Sequence, residues 1–243
     1  MTQNDTDDLP RRIGDLLENA ERYNSQGSFA NAAVLVDEAR LLAAGNIQAS
    51  AEIDLFCAIA LLEREQREEG LRSLESILMK YENWLKTPDG RSVYEAVQIQ
   101  RAFSPMHAEK GLEARPLLEQ AAGFELDTEV RSDVHCHLGR CYHELGLYSL
   151  AKEQFERAKA LGVSEEWLPA FHYCYGYTLY ELKEFQRSKR EFILCLQSGP
   201  SGPEAWLRYS MLAAACRKLG EHAEARAYEE RAASSKEKPQ CVI

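Results

Sequence analysis

Three small residues, Gly139, Gly176 and Ala213, stand 37 residues apart, each inside a stretch whose apolar positions recur at helical spacing. Extended toward the N-terminus, the same small position falls on Ala102, Ala58 and Ala20, after steps of 37, 44 and 38 residues. A fixed period of this length marks a chain built from one supersecondary unit used repeatedly, since each unit buries its apolar face only against its neighbours. No stretch alternates at period two, and Gly and Pro fall at intervals suited to helix boundaries, so the expected unit is a pair of helices.

The turn and second helix of the unit align most readily. Gly27–Ala32 leads to Val36 and Ala39, and Gly146–Ala151 leads to Phe155 and Ala158. Lys183–Ser188 leads to Phe192 and Cys195, and Gly220–Ala225 leads to Glu229 and Ala232. Two looser copies lie between, one with Gly70, Leu74 and Ile77, the other with Ala114, Leu118 and Ala121. The small residues let helix backbones approach while larger side chains fill the space beside the turn.

The stretch Leu138–Ala158 carries Leu138-Gly139, Tyr142, Gly146, Tyr148, Ala151, Phe155 and Ala158. It resembles the tetratricopeptide repeat, a helix–turn–helix unit of about 34 residues with the pattern W-x2-L-G-x2-Y, then A-x3-F, then P. The resemblance implies an all-α fold, a right-handed superhelical solenoid of about six stacked repeats. It further implies a non-enzymatic scaffold or adaptor for protein–protein interaction that takes a peptide segment in its concave groove. The expected repeats lie near 13–48, 51–80, 93–125, 132–165, 169–202 and 206–236. They form one domain over 11–233, with a disordered lead at 1–10 and a flexible tail at 234–243. The longer period places extra residues at 162–164 and 199–203, with Pro200 where the family has its terminal proline and Pro203 opening the next helix. The step of 44 contains the turn-forming Lys86–Gly90, which predicts an irregular loop at 80–92. Pro105 and Pro116 are expected to interrupt the helices of the third repeat.

In the family the first helix of each repeat lines the groove. Projected onto this chain, that face comprises Leu55, Ile59 and Leu62, then Ile99, Phe103 and Met106, then Cys136, Arg140 and His143. Tyr173, Tyr177 and Tyr180 follow, and then Ser210, Ala214 and Arg217. Residues at i, i+4 and i+7 share a helix face. Tyr173, Tyr177 and Tyr180 form the sharpest candidate for partner binding, because amphipathic rings dominate binding hot spots; the packing alternative seats the same rings between repeats. The stripes at 55–62 and 99–106 are apolar, suited to a partner segment or to being covered within the protein. Family members that clamp a C-terminal carboxylate use Lys, Asn and Arg along this face, which here offers only Arg140 and Arg217 as cations.

Other function classes find little support. Lys+Arg 29 against Asp+Glu 39 gives a net charge of −10, without the basic footprint that nucleic acid or anionic membrane surfaces need. The acidic start MTQNDTDDLPRR is unlike a secretory signal, and Leu55–Leu62, the longest apolar run, is short of a membrane span. Seven scattered cysteines read as thiols of a cytoplasmic protein. Cys241 is third from the end, where prenylation needs the fourth. His135, Cys136, His137, Cys141 and His143 with His172 and Cys174 form the one enzyme-like set, and His137 and Cys141 could share a zinc ion. Their spacing matches no metal-binding or hydrolase motif, and Cys141 lies at a small packed position. No catalytic residue, cofactor or metal is therefore assigned. A self-associating subunit, with a second copy filling the groove, is the main alternative to a scaffold.

Overall fold

A computed structural model describes residues 9–107, 111–165, 167–199 and 205–236, and no strand occurs among them. Thirteen helices follow in order among the described residues. They are α1 (Leu9–Ser25), α2 (Phe29–Leu42), α3 (Ile47–Glu63), α4 (Arg67–Lys80), α5 (Glu82–Leu85), α6 (Arg91–His107) and α7 (Gly111–Ala121). Then come α8 (Thr128–Glu144), α9 (Tyr148–Leu161), α10 (Leu168–Glu181), α11 (Phe185–Ser198), α12 (Ala205–Lys218) and α13 (His222–Lys236). The expected all-α helical-repeat class is the observed one. Contacts divide the chain into two compact units, 1–108 and 109–243. The first packs hairpins α1–α2 and α3–α4 with α5 and α6, and the second packs α7 against α8, with hairpins α8–α9, α10–α11 and α12–α13 in succession.

The turns explain the repeat. At Gly27, Gly146 and Gly220 the backbone takes φ of 72°, 71° and 80°, and Glu65 and Lys183 take the same left-handed conformation at 61° and 62°. The Leu147 amide bonds the Tyr142 carbonyl at 2.8 Å, the Glu184 amide bonds Leu179 at 2.9 Å, and the Glu221 amide bonds Cys216 at 2.9 Å. This six-to-one closure satisfies helix-end carbonyls and needs one left-handed residue, which glycine supplies without strain. Asn46 caps α3 through the Ala49 amide at 3.0 Å, and Asp127 caps α8 through the Val130 amide at 2.9 Å.

Inside four of the hairpins, a residue on the first helix lies with a residue sixteen positions later on the second. In α8–α9 a Cβ on Gly139 would come within 2.8 Å of the Phe155 ring, and in α10–α11 a Cβ on Gly176 would come within 3.1 Å of Phe192. Both rings are buried. The same register reads Ala20 and Val36, then Ala58 and Leu74, all buried. Glycine thus appears where the partner is phenylalanine, and alanine where it is smaller, so that the joint volume stays nearly constant.

Ion pairs in the second unit repeat with the helices. Lys152 on α9 meets Glu184 at the head of α11 at 2.6 Å. One repeat on, Lys189 on α11 meets Glu221 before α13 at 2.7 Å, and also Glu224 at 2.7 Å.

Several expectations meet a different structure. The helix α1 begins at Leu9, inside the expected lead, and α13 runs to Lys236, inside the expected tail. Residues 1–8 and 237–243, with Pro200 and Pro203, lie outside the described residues. The expected loop at 80–92 contains the last residue of α4, all of α5 and the first two residues of α6. Pro105 and Pro116 do not end their helices: α6 continues to His107 and Pro116 sits inside α7. Pro116 is the sixth of the eleven residues of α7, so it removes the amide that would bond the Leu112 carbonyl, a local cost that the packing of α7 on α8 must offset. The division after residue 108 falls inside the expected third repeat.

Candidate functional site

The first-helix face of the second unit is built from α8, α10 and α12. On α8, Arg140 pairs with Glu144 at 2.9 Å, both partly exposed. His143 is half-buried, and its Nδ1 lies 3.0 Å from the Thr178 hydroxyl. That hydroxyl donates to the Cys174 carbonyl at 2.8 Å, so it accepts from Nδ1–H and leaves Nε2 as the acceptor of a neutral ring. Burial pushes the His143 imidazole down to about 4. The ring stands edge-on to Tyr177 at 4.9 Å and to Tyr148 at 5.7 Å. Cys136, expected on the same face, is only 3% exposed, and burial pushes its thiol up to about 12. It is a core residue and offers nothing to a partner.

On α10, Tyr173, Tyr177 and Tyr180 are half-buried and pack beside the core of Phe192, Leu212, Ala215, Cys216 and Ala225. Tyr173 lies 6.1 Å from the Phe192 ring, and Tyr180 stands edge-on to Phe185 at 5.4 Å. Each ring is thus held by packing against this core and remains partly exposed. Burial raises the Tyr177 phenol, with Glu181 adding to the shift, so all titration stays far above neutral and the hydroxyl acts as a hydrogen-bonding group. On α12, Ser210, Ala214 and Arg217 line a cavity of about 500 Å³ together with Trp206 and the α13 residues Glu229, Ala232, Ala233 and Lys236. Arg217 reaches Glu229 at 2.6 Å across it.

In the first unit, Ile59, Leu62 and Phe103 line a cleft of about 380 Å³ whose rim carries Glu63, Glu65, Arg67 and Gln100. Burial raises the Glu63 carboxyl, with the Glu21 charge adding to it. Ile99 is 6% exposed and belongs to the interior, not to this face. The Met106 side chain lies outside the described residues. The apolar stripes are therefore only partly open, with Leu55 and Leu62 packed on the core of α3, α4 and α6.

The histidines of the sequence motif are structural in position. His135 is buried with Nδ1 2.8 Å from the Gln154 carbonyl oxygen, and His172 is buried with Nδ1 2.7 Å from Glu191. The two pairs are the same contact one repeat apart. Lys159 adds a 2.8 Å bond to Glu191. Burial alone would raise the Glu191 carboxyl, but the His172 and Lys159 bonds outweigh it and hold it below its ordinary range. His137 is buried edge-on to Trp167 at 4.4 Å, and burial pushes the Cys141 thiol up to about 11. Among the described residues the one set of three metal-capable ligand atoms is Cys216, Glu221 and Glu224. The Lys189 ammonium bonds both of those carboxylates and offsets one of their two charges. Sequence reasoning missed the acceptors Gln154 and Glu191 and the ladder from Lys152 and Lys189; their shared 37-residue spacing was the available signal.

With hairpins, left-handed turns and first-helix faces in place, the molecule is an α-helical-repeat protein whose fold is similar to that of tetratricopeptide-repeat structures. Residues 132–161, the α8–α9 hairpin, match the tetratricopeptide repeat family directly. No curated protein is matched by the sequence. Among solved structures, PilF of Pseudomonas aeruginosa shares the fold with a TM-score of 0.70 at 16% identity, over 92% of this chain and 91% of that one. The quorum sensor NprR of B. thuringiensis, in its apo form, gives 0.66 at 14% identity over 94% of this chain and 66% of its own. A structure of MamA gives 0.55 at 15% identity over 74% of this chain and 94% of its own. No described helix is long and apolar enough to cross a membrane.

Proposed function

We propose that the protein is a non-enzymatic interaction scaffold of the cytoplasm whose second unit binds a peptide segment of a partner protein along the first-helix face. The observation that carries this reading is the stripe of Tyr173, Tyr177 and Tyr180 on α10, half-exposed and held in line by packing from behind. Rings fixed before the partner arrives lose little rotamer freedom on binding, which is how aromatic anchors come to dominate interfaces. Flanking it, His143, Arg140 and Arg217 supply hydrogen-bonding and charged groups. A cysteine-nucleophile reading is disfavoured by these thiols: burial pushes Cys136 up to about 12, Cys141 up to about 11 and Cys216 up to about 11, far from the thiolate a nucleophile needs. All six described cysteines are thiols, in keeping with a reducing compartment.

The test is capture of partners by the full chain, wild type against Tyr177→Ala/Tyr180→Ala. Leu196→Ala serves as control, since Leu196 packs on the same core from α11 and its loss weakens packing off this face. Capture lost with the tyrosines and kept with the control is the expected result; capture kept by the tyrosine variant removes the assignment. Self-association is favoured by one observation, the exposed Val34 and Leu41 seven residues apart on α2. Light scattering over a range of concentrations decides it, a concentration-independent monomer ending that reading.

A further inference from the structure

Four residues before the small position of each first helix after α1, where the residue is the apolar Leu16, the chain places Asp54, Gln98, His135, His172 and Tyr209. Four of these five have a partner from another helix or its end. Asp54 takes bonds of 2.8 Å from both Lys80 and Tyr81, His135 meets Gln154 and His172 meets Glu191. Tyr209 stacks on Tyr228 at 6.4 Å. Gln98 is the exception. It is 6% exposed, and its Oε1 accepts from Arg101, three residues on along the same helix, at 3.0 Å. Its Nε2 donates to none of the described residues. Where Gln154 and Glu191 stand in later repeats, this repeat has Leu117, which has no acceptor to give.

The amide instead lines a cleft of about 380 Å³ in the first unit, with Leu78 of α4, Leu85 of α5 and Tyr94 one turn before Gln98 on α6. Glu82 and Lys86, paired at 2.6 Å, complete the lining. The wall that carries Leu85, Glu82 and Lys86 exists because the step from Ala58 to Ala102 is seven residues longer than the later period. Those residues fold as α5 and its turn, and Leu85 is buried against the core of α4 and α6. The departure from the repeat therefore builds a feature that the regular repeats lack.

We propose that this cleft is a binding site for a small, largely apolar molecule that ends in a carbonyl or amide oxygen. Its volume lies in the range of small-molecule sites, roughly 300–1,000 Å³, and its make-up is the usual one of apolar walls with few fixed polar groups. The choice of ligand follows from the amide. Its oxygen already accepts from Arg101, whereas Nε2 is a donor that an occupant of the cleft must either match or cut off from water, and a donor buried without a match is costly. An acceptor oxygen on the ligand satisfies it; a hydrocarbon of the same shape leaves it orphaned. The site is independent of the tyrosine face and stands or falls apart from it.

The experiment uses the full chain labelled with nitrogen-15, with the Gln98 side-chain amide resonances assigned through Gln98→Leu. Acetophenone and ethylbenzene are the probes, alike in skeleton and differing in the carbonyl. Acetophenone is expected to move the Gln98 amide resonances saturably and to bind about tenfold more tightly than ethylbenzene, and Gln98→Leu is expected to abolish that preference. Leu78→Trp, which narrows the cleft while leaving the amide in place, is expected to weaken acetophenone at least about fivefold. Resonances that stay fixed up to the solubility limit, equal affinity for both probes, or unchanged affinity in Leu78→Trp would each overturn the proposal.

Discussion

Replacing Gly139 by alanine sets two effects of similar size against each other. Alanine is favoured over glycine in a helix interior by about 1 kcal/mol. The new methyl would lie 2.8 Å from two carbons of the Phe155 ring, where ordinary contacts begin near 3.5 Å. That ring cannot step aside freely, since it is buried and packed at 5.6 Å against both Phe171 and Tyr175. Overpacking a filled core costs about 1–3 kcal/mol, so a net loss of about 1 kcal/mol is expected. Gly176→Ala meets Phe192 at 3.1 Å and should come out near neutral. Phe155→Leu alone leaves a void and should cost about 1–2 kcal/mol. The double variant Gly139→Ala/Phe155→Leu recreates the pair Ala58 and Leu74 that α3 and α4 already bury. It should therefore lose less than the two single variants together, by about 1 kcal/mol. Urea unfolding followed by circular dichroism measures all four proteins. Additivity within about 0.3 kcal/mol would falsify the claim that the two positions share one volume.

The remaining predictions concern turns and charge. Lys183 is exposed and holds a left-handed φ of 62° at a position where other repeats have glycine; Lys183→Gly should stabilise the protein by about 0.5–1 kcal/mol, strain relief of about 1–2 exceeding the entropy cost of glycine, and a lower melting temperature would refute this. Glu191→Gln turns the His172 contact into the His135–Gln154 kind and removes the charge that Lys159 meets, at a cost of about 1–2 kcal/mol. Because the folded Glu191 carboxyl lies below its ordinary 4.5, its contribution is fully present above that pH and fades as the pH falls through the lowered value. The gap between wild type and Glu191→Gln should accordingly be constant near neutrality and close in acid; a gap that persists to pH about 2 contradicts the linkage.

The repeat class was legible because its causes are local and periodic. A left-handed turn residue, a small residue on one helix and a larger one sixteen positions later recur at 27, 65, 146, 183 and 220 and at 20, 58, 139 and 176. Spacing alone places such residues on one helix face. The same logic put Tyr173, Tyr177 and Tyr180 in line, and the half-buried stripe on α10 follows it. It could not tell Cys136 from Arg140 or Ile99 from Phe103, since each pair shares a stripe while a neighbouring helix covers only one member.

What the sequence determined by itself is the helical hairpin: where each chain segment turns, and which small side chain admits which ring. Those choices are set by backbone sterics and by contacts within a few tens of residues. What only the tertiary structure decided is which polar groups find partners. Asp54, Gln98, His135 and His172 occupy one register, yet three are satisfied from another helix or its end and Gln98 is left facing a cleft walled by α5. Satisfaction of a buried donor depends on which distant side chain packing delivers to it, and no period in the sequence carries that information.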